Sequence, residues 1–152
     1  MIKLALYFGG LMKHRTLSRW YAMPAALIFA ASAHAGTVSV SVLNVSNAKG
    51  TVTAALCDKS TFLRLCALVQ SQPASAGLVM LSFPNVLPGR YAVSVYHDEN
   101  TNKKLDRNFI GIPNEGYGFS RDAPIRMGPP SFDDAAFEAG PDDIKLAISL
   151  RY

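Results

Sequence analysis

Residues 37–42 alternate strictly, with Val38, Val40 and Val42 on one parity and Thr37, Ser39 and Ser41 on the other. This is the period of a strand with one buried face. Residues 51–56 repeat the pattern, with Val52, Ala54 and Leu56 inward, and the turn-rich stretch 44–50 between them predicts a β-hairpin. Residues 78–83 and 90–97 read as third and fourth strands, the latter with Tyr91, Val93 and Val95 on one face. In 144–151, Ile144, Leu146, Ile148 and Leu150 face in while Lys145, Ser149 and Arg151 face out. Leu87-Pro88-Gly89-Arg90-Tyr91 supplies a turn between the third and fourth strands, with Pro setting φ and Gly tolerating positive φ. Short strands without helical periods predict an all-β fold, an antiparallel β-sandwich of immunoglobulin-like or prealbumin-like form.

Residues 98–143 break this rhythm, being rich in Gly and Pro. So long a stretch inside a compact domain hides short strands or carries function. Strands are expected at 108–112 and 135–138, and Phe132 and Phe137 are expected to pin the surrounding loop.

Ahead of the first strand the pattern is that of an exported chain. Lys13, His14, Arg15 and Arg19 precede an apolar run over 21–33, and Ala33-His34-Ala35 presents small residues for cleavage before Gly36. The run is shorter than the roughly 18 to 20 apolar residues that span a bilayer. A signal peptide over 1–35 and a single domain over 36–152 are expected, with translation starting at Met1 or at Met12. The mature domain is then periplasmic or secreted, with no membrane span.

The division changes the reading of charge. The chain has 15 basic and 11 acidic residues. Four of the basic residues (Lys3, Lys13, Arg15 and Arg19) and no acids precede Gly36, so the mature domain carries 11 of each. A neutral domain gives no basis for a nucleic-acid partner. Two of the three histidines, His14 and His34, also leave with the leader.

Cys57 and Cys66 both remain, and an even count in an exported chain predicts a disulfide. A helical turn over 60–65 inside this loop would place Phe62 and Leu65 on one side.

The chemistry-bearing residues cluster after the fourth strand. Asp98, Asn100, Asn102 and Asp106 occupy positions 1, 3, 5 and 9 of a calcium-loop pattern. Lys103 replaces the turn glycine and Phe109 the final bidentate Glu, so an Asx-rich turn bonding its own backbone is the leading expectation and no cofactor is expected, with weak calcium binding as the alternative. His97, Glu115, Tyr117 and Phe119 are the ligand candidates. The two aromatics stand among glycines, where they could stack on a ligand or anchor the loop. A triad of Ser120, His97 and Asp98 or Asp122 can be written, although Ser120 lacks a nucleophile-elbow context. No catalytic residue is assigned.

Taken together, Leu87-Pro88-Gly89-x-Tyr91, His97-Asp98-Glu99-Asn100, Lys104-Leu105-Asp106, Gly111-Ile112-Pro113-x-Glu115-Gly116-Tyr117-Gly118-Phe119-Ser120 and Phe132-Asp133-Asp134-Ala135 resemble the bacterial family of domain of unknown function 2141. The resemblance implies an exported bacterial β-sandwich and assigns no catalytic residues. A non-catalytic envelope binding or interaction module acting through loops 98–120 is the leading expectation, with an envelope polymer, protein or small ligand as partner. The alternatives are a small periplasmic hydrolase using His97 with nearby carboxylates, and a purely structural or assembly role.

Overall fold

The computed structural model describes residues 35–152; the expected leader, save its last alanine, lies outside them. The elements in chain order are β1 (Gly36–Val45), β2 (Thr51–Cys57), β3 (Leu68–Pro73), β4 (Gly77–Val86), β5 (Gly89–Asp98), β6 (Tyr117–Phe119), α1 (Phe132–Ala135), β7 (Phe137–Ala139) and β8 (Ile144–Ser149). Among the described residues the strands form two sheets, ordered β4-β1-β8 and β3-β2-β5-β6. Strand β7 pairs with β5 through residues 89–91, ahead of the 94–96 segment that pairs with β6. All pairings between named strands are antiparallel except β1 with β8.

The inward residues read from the alternation form the core between the sheets. Val38, Val40 and Val42 face Val52, Ala54, Leu56, Val93 and Val95, closed by Phe83 and Ile148, and all are buried. The expected hairpin of β1 with β2 is not formed. Strand β1 pairs with β4 and β8, and β2 with β3 and β5, so the 46–50 turn carries the chain across the sandwich. Alternation marks which face is buried without naming the neighbour, and these apolar faces meet across the core instead of lying side by side. Strand β3 was not anticipated: it is an edge strand whose side chains are almost all exposed, so no hydrophobic period marks it.

The sheets also meet at one side. The Tyr117 amide donates to the Arg151 carbonyl and the Arg151 amide to that of Tyr117, both at 3.0 Å. Between Tyr117 and Phe119, Gly118 faces inward, where a Cβ would collide with Ile148 Cγ2 and the Ser149 carbonyl. Close approach of β6 to β8 therefore requires glycine.

A second, smaller core covers the outer face of β5. Ala92, Phe119, Phe132, Ala135 and Ala136 are buried there, with Phe62 packed against them. Phe62 meets Phe119 and Phe132 edge-on at centroid distances of 6.1 and 5.7 Å. The Cys57–Cys66 disulfide, with Cα atoms 5.0 Å apart, holds the intervening loop over this face. Hydrogen bonds from the Ser60 hydroxyl, then from Thr61, hold the Asp58 carboxyl below its ordinary pKa. Phe62 turns inward as expected, but Leu65 points to solvent at 87% exposure, so the two do not share a side.

Two local expectations are corrected. Residues 108–112 form a tight turn in which Asn108 Oδ1 accepts the amides of Ile110 and Ile112. A side chain that bonds the backbone in this way competes with strand pairing. Helix α1 occupies the start of the expected strand at 135–138, because Ser131 and Asp134 form a reciprocal capping box; the backbone is extended from Ala136 and strand β7 begins at Phe137. Strand β6, unanticipated, carries Tyr117 and Phe119. Phe132 is buried in the outer core and Phe137 packs on the main one, so both pin the chain.

Candidate functional site

The loop after β5 is organised by two buried carboxylates. Asp98 Oδ1 accepts the Asn102 amide at 3.0 Å and Oδ2 the Lys103 amide at 2.7 Å. Glu115 Oε1 accepts the Glu99 amide at 3.0 Å and Oε2 the Asp106 amide at 2.9 Å. Both side chains are buried, and bonds to ionised acceptors are about twice as strong as neutral ones. The Asn100 and Asn102 side-chain amides donate to the two oxygens of Asp106, and their own Oδ1 atoms accept the Asn102 and Lys104 amides. The four calcium-pattern residues are thus brought together, with every carboxylate oxygen bonded within the loop. Among the described residues no group of three or more His, Cys, Asp or Glu is placed to hold a metal.

His97 is fully buried on the inner parity of β5, away from this loop's outer surface. Its Nε2 lies 2.7 Å from the Lys49 carbonyl, which can only accept, so Nε2 carries the hydrogen. Nδ1 lies 2.8 Å from the Tyr152 hydroxyl and is hydrogen-bonded to it, and the Tyr152 oxygen accepts the Ser46 amide at 2.9 Å. The chain ties the 46–50 turn to residue 152. Gly50 completes it at φ 66°, where a Cβ would strike the Asp98 carbonyl oxygen. Glu99 Oε1 lies 4.0 Å from Nδ1.

Ser120 is remote from His97 in its bonding. Its buried hydroxyl donates to the Ala135 carbonyl at 2.6 Å and accepts the Val93 amide at 2.9 Å, fastening the outer core to β5. Asp122 accepts the Ser149 amide. The written triad is therefore distributed over separate structural contacts.

Tyr117 and Phe119 lie instead on the floor of an open cleft of about 710 Å³ on the outer face of the second sheet. Tyr96, paired in register with Tyr117, and Ser94, paired with Phe119, complete the floor. One wall segment is Leu105, Arg107 and residues 110–113; a second is Ile125, Arg126, Met127, Gly128 and Pro129; Leu63 of the disulfide loop also lines the cleft. The first wall stands on the Asp98 and Glu115 clamps. The second is launched by Arg121 and Asp122, which turn the chain with φ of 62° and 46°.

The cleft is apolar, shaped, and of a size that suits a small organic ligand. Ile110, Ile112 and Met127 are exposed at 64, 55 and 105%, and the neighbouring Phe109 at 98%. So much exposed apolar surface around one concavity is uncommon on a lone domain. Burial, the adjacent Asp98 and Glu115 charges adding to it, raises the pKa of the Tyr96 phenol above its ordinary value, against a hydrogen bond from Thr53.

Of the sequence-derived candidates, Tyr117 and Phe119 are in the cleft, while His97 and Glu115 are not among its lining residues. Phe119 is also an anchor, being buried in the outer core; Tyr117 is half-buried. The residues missed were Tyr96, Leu105, Ile110, Ile112 and the whole 125–129 wall. The available signal was the apolar Leu105, Ile110 and Ile112 within an otherwise polar loop.

Among the described residues no helix is long and apolar enough to cross a membrane. No curated protein and no solved structure matches the chain. A family model does match, over residues 40–146, which take in both sheets, the two carboxylate clamps and both walls of the cleft. The chain belongs to the bacterial family described as uncharacterized proteins conserved in bacteria, DUF2141.

Proposed function

We propose that this is an exported, non-catalytic binding module whose ligand site is the cleft over Tyr96, Tyr117 and Phe119. The observation that carries the reading is the concave apolar surface itself, floored by aromatics and rimmed by exposed Ile110, Ile112 and Met127. Burial of these rim side chains by a ligand supplies the driving force, at about 25 cal/mol per Å² of apolar surface. Export is supported by the Cys57–Cys66 disulfide, which an oxidising compartment maintains, and by the basic, apolar, small-residue order of the leader.

Binding is favoured over hydrolysis because His97 is sealed from solvent with both ring nitrogens engaged. A general base must reach the proton it removes, directly or through one water. The test is titration of the isotope-labelled protein with neutral apolar probes, octanol and naphthol, followed by amide chemical shifts. Saturable shifts at Tyr96, Ile112, Tyr117 and Met127, abolished by Ile112→Asp with Met127→Asp, are expected. Shifts elsewhere, or none, would overturn the assignment.

A further inference from the structure

The charge pattern of the cleft narrows the ligand. Arg107 and Arg126 both line the cavity, contributed by two separate segments of the chain, and no acidic residue lines it. Neither forms an ion pair among the described residues, where the pairs of permanently charged side chains join Lys59 and Arg90 to Asp133 and Arg90 to Glu138. Arg107 donates one bond, from Nη1 to the Gly111 carbonyl at 3.0 Å, out of the five N–H groups of a guanidinium. The acids nearest in sequence to each wall are occupied. Asp106 accepts from Asn100 and Asn102, Asp122 accepts the Ser149 amide, and Asp133 is paired with Lys59 and Arg90. Two cations without counter-charges therefore overlook an apolar, aromatic floor.

Resting on the cleft as the ligand site, we infer that its ligand is an anionic amphiphile. An apolar chain or ring lies on Tyr96, Tyr117 and Ile112, and a single carboxylate, sulfonate or phosphate head is held at the mouth between Arg107 and Arg126. Guanidinium groups suit this task because their planar fork matches two oxygens of such a head at once. The same chemistry is offered by a free fatty-acid anion and by an anionic lipid at a membrane surface, and the exposed apolar rim can engage either.

The test is calorimetry on the full protein with three ligands of matched chain, decanoate, decanol and decyltrimethylammonium, and with vesicles of phosphatidylglycerol or phosphatidylcholine. Decanoate is expected to bind about ten-fold more tightly than decanol, the size of one charge-assisted hydrogen bond, and the cation most weakly. Arg126→Gln is expected to remove most of that preference and Arg126→Lys to keep part of it. Arg126 makes no structural ion pair, so these variants are expected to fold; Arg107→Gln is paired with a melting curve because of its bond to Gly111. Arginine-dependent binding to phosphatidylglycerol vesicles alone assigns the head to lipid, and binding of decanoate in the absence of vesicle binding assigns it to a free anion. Equal affinity for decanoate and decanol, unchanged by Arg126→Gln, overturns the inference and leaves the cleft reading standing. Failure of all three ligands, together with failure of the neutral probes above, overturns both.

Discussion

Replacing Glu115 by glutamine tests whether one buried carboxylate supports the near wall of the cleft. The side chain is 5% exposed and its two oxygens accept the Glu99 and Asp106 amides. Glutamine keeps one carbonyl oxygen and sets an NH₂ against the other N–H. One charge-assisted bond becomes neutral and one buried donor is orphaned. Hydrogen bonds to charged groups contribute about 1.5–3 kcal/mol and an unsatisfied buried group costs about 1–3 kcal/mol, so the expected loss is about 3 kcal/mol. That is a large share of the roughly 5–15 kcal/mol that holds an ordinary domain together. Urea denaturation followed by circular dichroism is expected to show a lower midpoint with unchanged slope, and the melting temperature to fall by about 10 °C. Amide exchange supplies the local readout, with the Asp106 amide losing protection first. A loss under about 1 kcal/mol with that amide still protected would refute the clamp.

Three further outcomes follow from other contacts. His97→Phe keeps an aromatic ring but strands the Lys49 carbonyl, so stability is expected to fall by about 2 kcal/mol or more while octanol binding in the cleft is unchanged; loss of binding at full stability would place His97 in the site instead. The raised Tyr96 pKa makes the folded protein hold its phenolic proton more tightly than the unfolded chain, whose tyrosine titrates near 10.0. Its contribution is complete below pH 10.0 and is lost as pH rises through the folded value, so Tyr96→Phe is expected to flatten the alkaline decline seen in pH-dependent denaturation; an unchanged decline would refute the assignment. Because every oxygen of Asp98 and Asp106 already accepts a bond within the loop, melting curves in several millimolar calcium and in chelator are expected to coincide; a rise of several degrees with calcium would establish the cation site.

The sandwich was legible because alternation at Val38, Val40 and Val42, at Val93 and Val95, and at Ile144 to Leu150 reports burial directly. Pairing was less legible. The same pattern serves a hairpin partner and a strand across the core, and only the structure separates β1 from β2. Strand β3 left no trace because nothing in it is buried, and α1 was hidden because a four-residue helix has a cap but no period. At the site, Tyr117 and Phe119 stood out as aromatics among glycines. The 125–129 wall did not, since Met127 and Arg126 acquire meaning only when positive φ at Arg121 and Asp122 brings them over β6. His97 and Glu115 drew notice as chemistry-bearing types, yet burial turned both to structural use.

The most direct test of the cleft as the ligand site is the set of intermolecular nuclear Overhauser effects between octanol and the isotope-labelled protein. Saturable cross-peaks are expected from the octyl chain to the Tyr117 and Tyr96 rings and to the Ile112 and Met127 methyl groups. Cross-peaks confined to the rival exposed apolar pair Leu78 and Met80 on β4, which are 49 and 56% exposed, or no cross-peaks at saturation, would contradict it.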